Sequence, residues 1–341
     1  MRGVVARGAH DLRVEEVDEQ PVGADEVEVA IAVGGICGSD LHYFHRGGVG
    51  DAVIRQPLVL GHEVAGTVTR IGEAVSGLEP GNRVAIDPSR LCGECGPCRD
   101  GATNLCEAMC FLGSAARVPH TQGGFRDRLV VGAEQCVLLP SEFPFDRAVL
   151  AEPLAVAFHA AERAGDLNGR RVLVVGSGPI GVLIAVAARR AGAHAVIVAD
   201  LLEGPLRIAR ELAATRVVHL GAGDEVDTEV DVAFEAAGAA EALDTALAAV
   251  RAGGRVVCVG HLPPGKVGVA ANRAVTRELE LRGSYRFRHD QFRSAVEAIA
   301  SGLDLSPLVT ARFPLDEALA AFEEASSRER AMKVQLVVGD W

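Results

Sequence analysis

The stretch 170–201, RRVLVVGSGPIGVLIAVAARRAGAHAVIVADL, constrains the fold more than any other part of the chain. It reads as an apolar strand, a glycine turn, a long apolar helix and a second apolar strand, which is one βαβ unit. Strands that are apolar on both faces need cover above and below, and parallel strands joined through helices obtain it. The same texture continues through TRVVHL, DVAFEAAG, GGRVVCVG and LELRGSY, with helical segments such as AEALDTALAAVR between them. About six strands result, so this part of the chain is expected to form a doubly wound parallel sheet of the Rossmann kind.

The turn GSGPIG sets Gly176, Gly178 and Gly181 in the GxGxxG spacing between a strand and a helix. Glycines there allow a tight turn and close backbone approach, and the helix N-terminus offers free N–H groups and a positive dipole end to a pyrophosphate. Asp200 closes the second strand about twenty residues on, where a carboxylate can hold both hydroxyls of an adenosine ribose. The residues after it, LLEGPLR, place no arginine next to Asp200, which favours NAD over NADP; Arg207, seven positions on, argues the other way. Cofactor contacts are expected from Gly176, Gly178, Pro179, Ile180, Gly181 and Asp200, and from Val259, Gly260, Ser284 and Tyr285 at the ends of later strands.

The N-terminal part has a different texture. From Val27, VEVAIAV alternates apolar with small or polar side chains and stops at Gly34 and Gly35, as a half-buried strand does. Short glycine-punctuated strands follow at VAGTVTRIG, NRVAID, FRDRLVVG and CVLLP, so this region is expected to be mostly β. After Tyr285 come a helix around DQFRSAVEAIASG, a second at LDEALAAFEEASS and a strand KVQLVV, a tail that pattern alone assigns to neither part. With 341 residues, two domains are the default expectation. A formal charge of −12 and the absence of a basic run argue against a nucleic-acid partner. The opening MRGVVARGAHDLRVEEVDEQ has no apolar run of signal-peptide length, so a cytoplasmic location without a membrane partner is expected.

A reducing compartment makes clustered cysteines metal ligands rather than disulfides. The loop CGECGPCRDGATNLC reads C-x2-C-x2-C-x7-C, from Cys92, Cys95, Cys98 and Cys106. Four thiolates fill a tetrahedral zinc sphere and leave no place for a substrate, so this site is expected to be structural. Cys110 is an alternative fourth ligand, while Cys136 and Cys258 sit in apolar segments and read as inert thiols. A second, dispersed set is Cys37, His62, Glu63 and Glu152. A thiolate, an imidazole and carboxylates make an incomplete sphere with room for a further oxygen, although each residue alone has an ordinary structural reading.

Residues 34–67, GGICGSDLHYFHRGGVGDAVIRQPLVLGHEVAGT, with the cysteine loop, AEPLAVAFHAA and GSGPIG, resemble the zinc-dependent medium-chain alcohol dehydrogenase superfamily over essentially the whole chain. FLGSAARVPHTQGGF and LRGSYRFRHDQFRSAV are most similar to its polyol branch, the sorbitol dehydrogenases. The resemblance implies an α/β chain in which the doubly wound Rossmann sheet is inserted into a mostly-β GroES-like catalytic domain: residues 1–150, then 151–285 for NAD, then 286–341 completing the catalytic part. It implies Cys37 and His62 as direct ligands of a catalytic zinc, with Glu63 and Glu152 completing the sphere directly or through water. Two zinc ions per chain, NAD and oxidation of a secondary alcohol follow. Ser39 is expected to take the substrate proton and His42 to relay it, with a water and Glu152 as the competing route. Asp40 is expected to hold a ligand in place, and the alternative for Ser39 and Asp40 is a turn cap after Gly38. Tyr43 and Arg286 are implied at the substrate, a polyol or an aldonate such as L-idonate. Arg286 can clamp a carboxylate with two hydrogen bonds or bind neutral hydroxyls, and Arg288 is a lesser candidate. A homo-oligomer is implied, with a tetramer favoured over a dimer. A nucleotide-binding protein without chemistry would have no need of the open metal set, and the zinc deaminase pattern is missing because Val64, not Glu, lies two positions after His62.

Overall fold

The computed structural model describes residues 1–263 and 265–339. The chain divides into two compact units. The first comprises Met1–Glu152, Arg288–Ser327 and the C-terminal residues from Lys333; the second comprises Pro153–Phe287 and Arg328–Met332. The tail therefore builds mainly onto the N-terminal part, with the five residues 328–332 grouped with the other unit.

Strand pairing explains why the tail belongs there. The first unit's main sheet has seven strands, six of them running in the order Cys136–Leu138, Arg83–Ile86, Glu63–Ile71, Glu26–Gly35, Lys333–Val337 and Val309–Pro314. Arg128–Gly132 pairs with Glu26–Gly35 as well. Lys333–Val337 runs antiparallel to Glu26–Gly35, with Gln335 opposite Gly35, so its backbone groups find their partners on a strand about 300 residues earlier. Glu26–Gly35 departs from the half-buried expectation, since it is buried along nearly its whole length. Neighbours pair with it on both sides, and Glu28 is buried with its carboxylate clamped by Arg70 Nε at 3.0 Å and the Thr69 hydroxyl at 2.7 Å.

The second unit carries the expected six-stranded parallel sheet. Its spatial order is Arg216–His219, Ala195–Asp200, Arg171–Val175, Val230–Glu235, Val250–Cys258, Glu280–Gly283. This is the doubly wound order 3-2-1-4-5-6, whose direction reverses beside the first strand, Arg171–Val175. The helix Pro179–Arg190 buries Gly181 to Ala188, which is why its sequence is apolar almost all round. One core cluster gathers Leu173, Val175, Ile197, Ala233 and Val256 from the strands, and Leu243 and Leu247 from the helix Ala240–Ala249.

Candidate functional site: a metal centre and a dinucleotide turn

Cys37, His62 and Glu63 converge in the first unit because two adjacent strands deliver them. Cys37 follows the strand Glu26–Gly35 and forms the N-terminal boundary of the helix Gly38–Arg46; Glu63 begins the neighbouring strand and lies opposite Gly35 in register. A side chain at position 35 would overlap Glu63 Oε2, so glycine there gives the carboxylate its space. Gly61, just before His62, has φ +95°, and an added Cβ would run into the Phe125 ring. Glycine alone meets both demands without strain.

One ligand atom each from Cys37, His62 and Glu63 lies within 4.8 Å of the others. Glu152, in the first turn of the helix Ala151–Ala164, is buried and lies outside that three-residue set. Asp40 is fully buried and accepts hydrogen bonds from the Cys37 N–H at 3.0 Å and the Gly61 N–H at 3.3 Å. Its Oδ1 stands 3.7 Å from His62 Nδ1, beyond hydrogen-bonding distance, so it steadies the backbone next to both residues rather than the imidazole. Phe111 sets its ring 5.4 Å from that of His62.

The charge around this set is tightly confined. Glu63 is fully buried; one carboxylate oxygen ion-pairs with Lys333 Nζ, while Oε2 has no partner. Burial and the neighbouring Glu63 charge push the Cys37 thiol up to about 11. Burial also pushes Glu152 well above the usual carboxylate range, with His62 opposing and Glu63 and Cys37 adding to it. For Lys333, burial works to lower its pKa, but Glu63 and Cys37 outweigh it and the net shift is upward. A half-buried thiol with a buried imidazole and a buried carboxylate that has one orphaned oxygen is a donor set that a zinc ion satisfies.

The cysteine loop forms a second, separate cluster. Cys92, Cys95, Cys98 and Cys106 offer sulfurs all within 4.8 Å of one another, and the Cys92 and Cys106 sulfurs are 3.5 Å apart. A tetrahedron with zinc–sulfur bonds of about 2.3 Å has edges of about 3.8 Å, so the cage fits that ion. Backbone N–H groups of Glu94 and Cys95 draw the Cys92 thiol down to about 6, while burial and hydrogen bonding with Cys95 push the Cys98 thiol up to about 12. Between the two expected fourth ligands the structure selects Cys106. Cys110 lies on the short strand Cys110–Phe111, where its sulfur meets Arg117 Nη1 at 3.3 Å. None of the eight cysteines forms a disulfide; Cys136 is buried and Cys258 half-buried.

In the second unit GSGPIG makes the turn its spacing implies. Gly176 has φ +101°, and a Cβ there would stand 2.7 Å from the Ala237 nitrogen. At Gly181 it would collide with the Gly176 carbonyl oxygen, whereas at Gly178 it would meet nothing within 4 Å. The turn is thus closed on its inner side and open at Gly178, which precedes Pro179 at the first position of the helix Pro179–Arg190, with Ile180 next. Asp200 accepts from the Ser177 N–H at 2.6 Å and the Leu202 N–H at 3.0 Å, tying the acid to the glycine turn. Val259 and Gly260 both donate backbone N–H groups to the Glu235 carbonyl, and the Ser284 N–H donates to the Cys258 carbonyl at 2.9 Å. The buried hydroxyls of Ser177 and Ser284 have no partner, and both lie just past the carboxyl ends of sheet strands, where a dinucleotide binds in this topology.

Among the residues expected at the substrate, Ser39 and His42, both half-buried, lie on the helix Gly38–Arg46. Tyr43 is buried, and its hydroxyl accepts from the Ala115 N–H at 2.9 Å. Arg286 has φ +54°, an uncommon conformation for a side chain of its size, and its guanidinium carbon lies 4.9 Å from the Tyr285 ring centre. Arg288 is committed elsewhere, with Nε and Nη2 each 3.1 Å from the Asp290 carboxylate. Lys333 escaped sequence reasoning. Its one signal is a lysine opening the strand KVQLVV, which is apolar apart from that lysine and Gln335.

Residues 23–141 match the alcohol dehydrogenase GroES-like domain, and residues 179–301 match the zinc-binding dehydrogenase family. The chain is 40% identical over 316 residues to an L-idonate 5-dehydrogenase (NAD(P)+) of Escherichia coli strain K12, covering 91% of each chain. It is 37% identical over 344 residues to a sorbitol dehydrogenase of Gallus gallus, covering 98% of this chain and 95% of that one. The crystal structure of L-idonate 5-dehydrogenase from Escherichia coli is similar with a TM-score of 0.91 and 37% identity, over 99% of this chain and 98% of that one.

Proposed function

The chain belongs to the zinc-binding alcohol dehydrogenase family, whose polyol and sugar-acid members use a nicotinamide dinucleotide to oxidise CH–OH groups, and we propose that its own substrate is L-idonate, oxidised reversibly at C5 to 5-keto-D-gluconate with NAD. The observation that carries a catalytic rather than a structural reading is the incomplete donor set: Cys37, His62 and Glu63, with Glu63 Oε2 unpartnered. These three would hold a catalytic zinc, and the four loop cysteines a structural one. When bound, the catalytic zinc supplies Lewis acidity toward an alcohol oxygen, and the dinucleotide supplies a hydride acceptor.

The chain's own residues supply the rest. Asp40 fixes the backbone beside two ligands, so the donors need no reorganisation on binding. Ser39 Oγ is the group we assign to accept the substrate's hydroxyl proton, because it stands in the first turn of the helix that begins at Cys37, two residues from that ligand. His42, three residues on along the same helix, would pass the proton outward, and Glu152 offers the competing route. Asp200 would hold the adenosine ribose; the exposed leucine after it, Leu201, favours NAD over the phosphorylated form. Arg286 would clamp the aldonate carboxylate, and Arg288, already paired with Asp290, would not.

Similarity to the avian sorbitol dehydrogenase favours a second reading, oxidation of a neutral polyol. Turnover by the zinc-loaded protein with NAD or NADP on L-idonate, D-gluconate, sorbitol, xylitol and L-threonine separates the two. Preference for L-idonate is expected; fast sorbitol oxidation with none of L-idonate rejects the aldonate assignment. Ser39→Ala should lower turnover with little change in NAD affinity, and unaltered turnover assigns the proton to the Glu152 route.

A further inference from the structure

A lysine buried beside three potential anions is the feature of this unit that the mechanism above leaves unused. Lys333 is 2% exposed and Glu63 is fully buried, and the two form an ion pair. Lys333 Nζ also donates to the Ile36 carbonyl at 3.2 Å, the residue immediately before Cys37. The lysine comes from the first position of the C-terminal strand Lys333–Val337, and the Ile36 N–H returns a hydrogen bond to the Val334 carbonyl. Its ammonium is therefore pinned by two independent elements, and it occupies one oxygen of Glu63 while the other has no partner.

We propose that Lys333 is a positioning residue that competes with the catalytic metal for Glu63, keeping one carboxylate oxygen on its own ammonium and leaving only Oε2 for the ion. Geometry supports this division of the carboxylate: Gly35 leaves room on the Oε2 side, and Lys333 closes the other. A brace without such competition and a competitor predict opposite effects of removing the lysine. Loss of a brace loosens the site. Loss of a competitor frees both oxygens for the metal and leaves an uncompensated buried carboxylate in the metal-free protein, and both consequences tighten metal binding.

The proposal rests on the assignment of Cys37, His62 and Glu63 to zinc. Its test is zinc release from the full-length protein to a chromogenic chelator, in which the two zincs appear as separate phases and the one lost in Cys37→Ser identifies the catalytic phase. Lys333→Met should slow that phase by about tenfold, the low end of the range for residues adjoining metal ligands. Lys333→Gln, which keeps a hydrogen-bonding group but no charge, should slow it in the same direction and serves if the methionine variant does not fold. Lys333→Arg should release zinc at nearly the parental rate, and on a Glu63→Gln background the effect of Lys333→Met should vanish. Faster or unchanged release in both neutral variants overturns the proposal. A single zinc that survives Cys37→Ser would instead reject the zinc site itself, with the role of Lys333 falling alongside it.

Discussion

Replacing Asp40 with asparagine isolates what a buried carboxylate does for a metal centre it does not join. The side chain is fully buried and receives two backbone N–H groups, from Cys37 at 3.0 Å and Gly61 at 3.3 Å. Asparagine has the same shape but one acceptor oxygen, so one of those N–H groups faces an NH2 and loses its partner. A hydrogen bond to a charged acceptor contributes about 1.5–3 kcal/mol; taking about 2 kcal/mol, and letting it appear wholly as disorder that zinc must reverse, gives about 30-fold weaker retention of the catalytic zinc. That lies within the range of about 10–100-fold for residues that orient ligands. Titration with a competing chelator, followed by metal analysis, measures it, and the cysteine cage in the same molecule is the internal control. The first zinc should leave at lower chelator concentration and the second at the parental one. Parental retention of both would refute the claim that Asp40 orders Cys37 and His62 through their backbone; loss of both together would show a general loss of folding.

Metal analysis of the parental protein should find about two zinc ions per chain. Cys98→Ser should remove one of them and lower thermal stability before it alters turnover, and lost turnover at undiminished stability would move the chemistry to the cysteine loop. Gly61→Ala meets a φ of +95° and the Phe125 ring, so destabilisation of about 2–4 kcal/mol is expected by chemical denaturation, and a change below about 0.5 kcal/mol would contradict the packing. Burial, aided by Glu134, pushes the Cys136 thiol up to about 12. Its folded pKa lies above the unfolded value, so the associated stability is complete below about pH 8.5 and is lost as pH rises toward 12. Native Cys136 should resist a thiol reagent at pH 8 that labels it in denaturant, and equal labelling rates would count against its burial.

Legibility followed distance along the chain. GSGPIG and the cysteine cage could be read because turn, helix start and ligand spacing are local, and Gly176 and Cys106 stand where spacing puts them. Glu152 was legible as a residue but not as a position: it is buried near the metal set without joining it, because it arrives on a separate helix with no register to the strand pair that delivers Cys37 and Glu63. The alternation in VEVAIAV suggested one wet face, and only the pairing of that strand on both sides shows that Glu28 is buried against Arg70. Lys333 is the extreme case. It lies 270 residues from Glu63, and its one local signal, a lysine heading a mostly apolar strand, also fits a solvent-facing lysine at a strand end.

The two metal sets differ in charge as well as in completeness, and the difference assigns their work. Four thiolates carry twice the charge of a divalent ion, so the cage holds its metal strongly and has no use for a further anion. At the other set one thiolate and one carboxylate only balance such an ion, and Lys333 already engages part of that carboxylate. The site is therefore left electron-poor inside a buried shell, where an added oxygen donor is attracted strongly. A single substitution separates this from a purely geometric account. Glu63→Gln keeps the volume and removes the charge, leaving Lys333 as an unpaired buried cation. If charge governs the site, this variant should bind an anionic inhibitor such as azide more tightly than the parent while retaining the cage zinc. Unchanged azide affinity would mean that shape alone, and not the balance set by Lys333 and Glu63, controls what the metal set accepts.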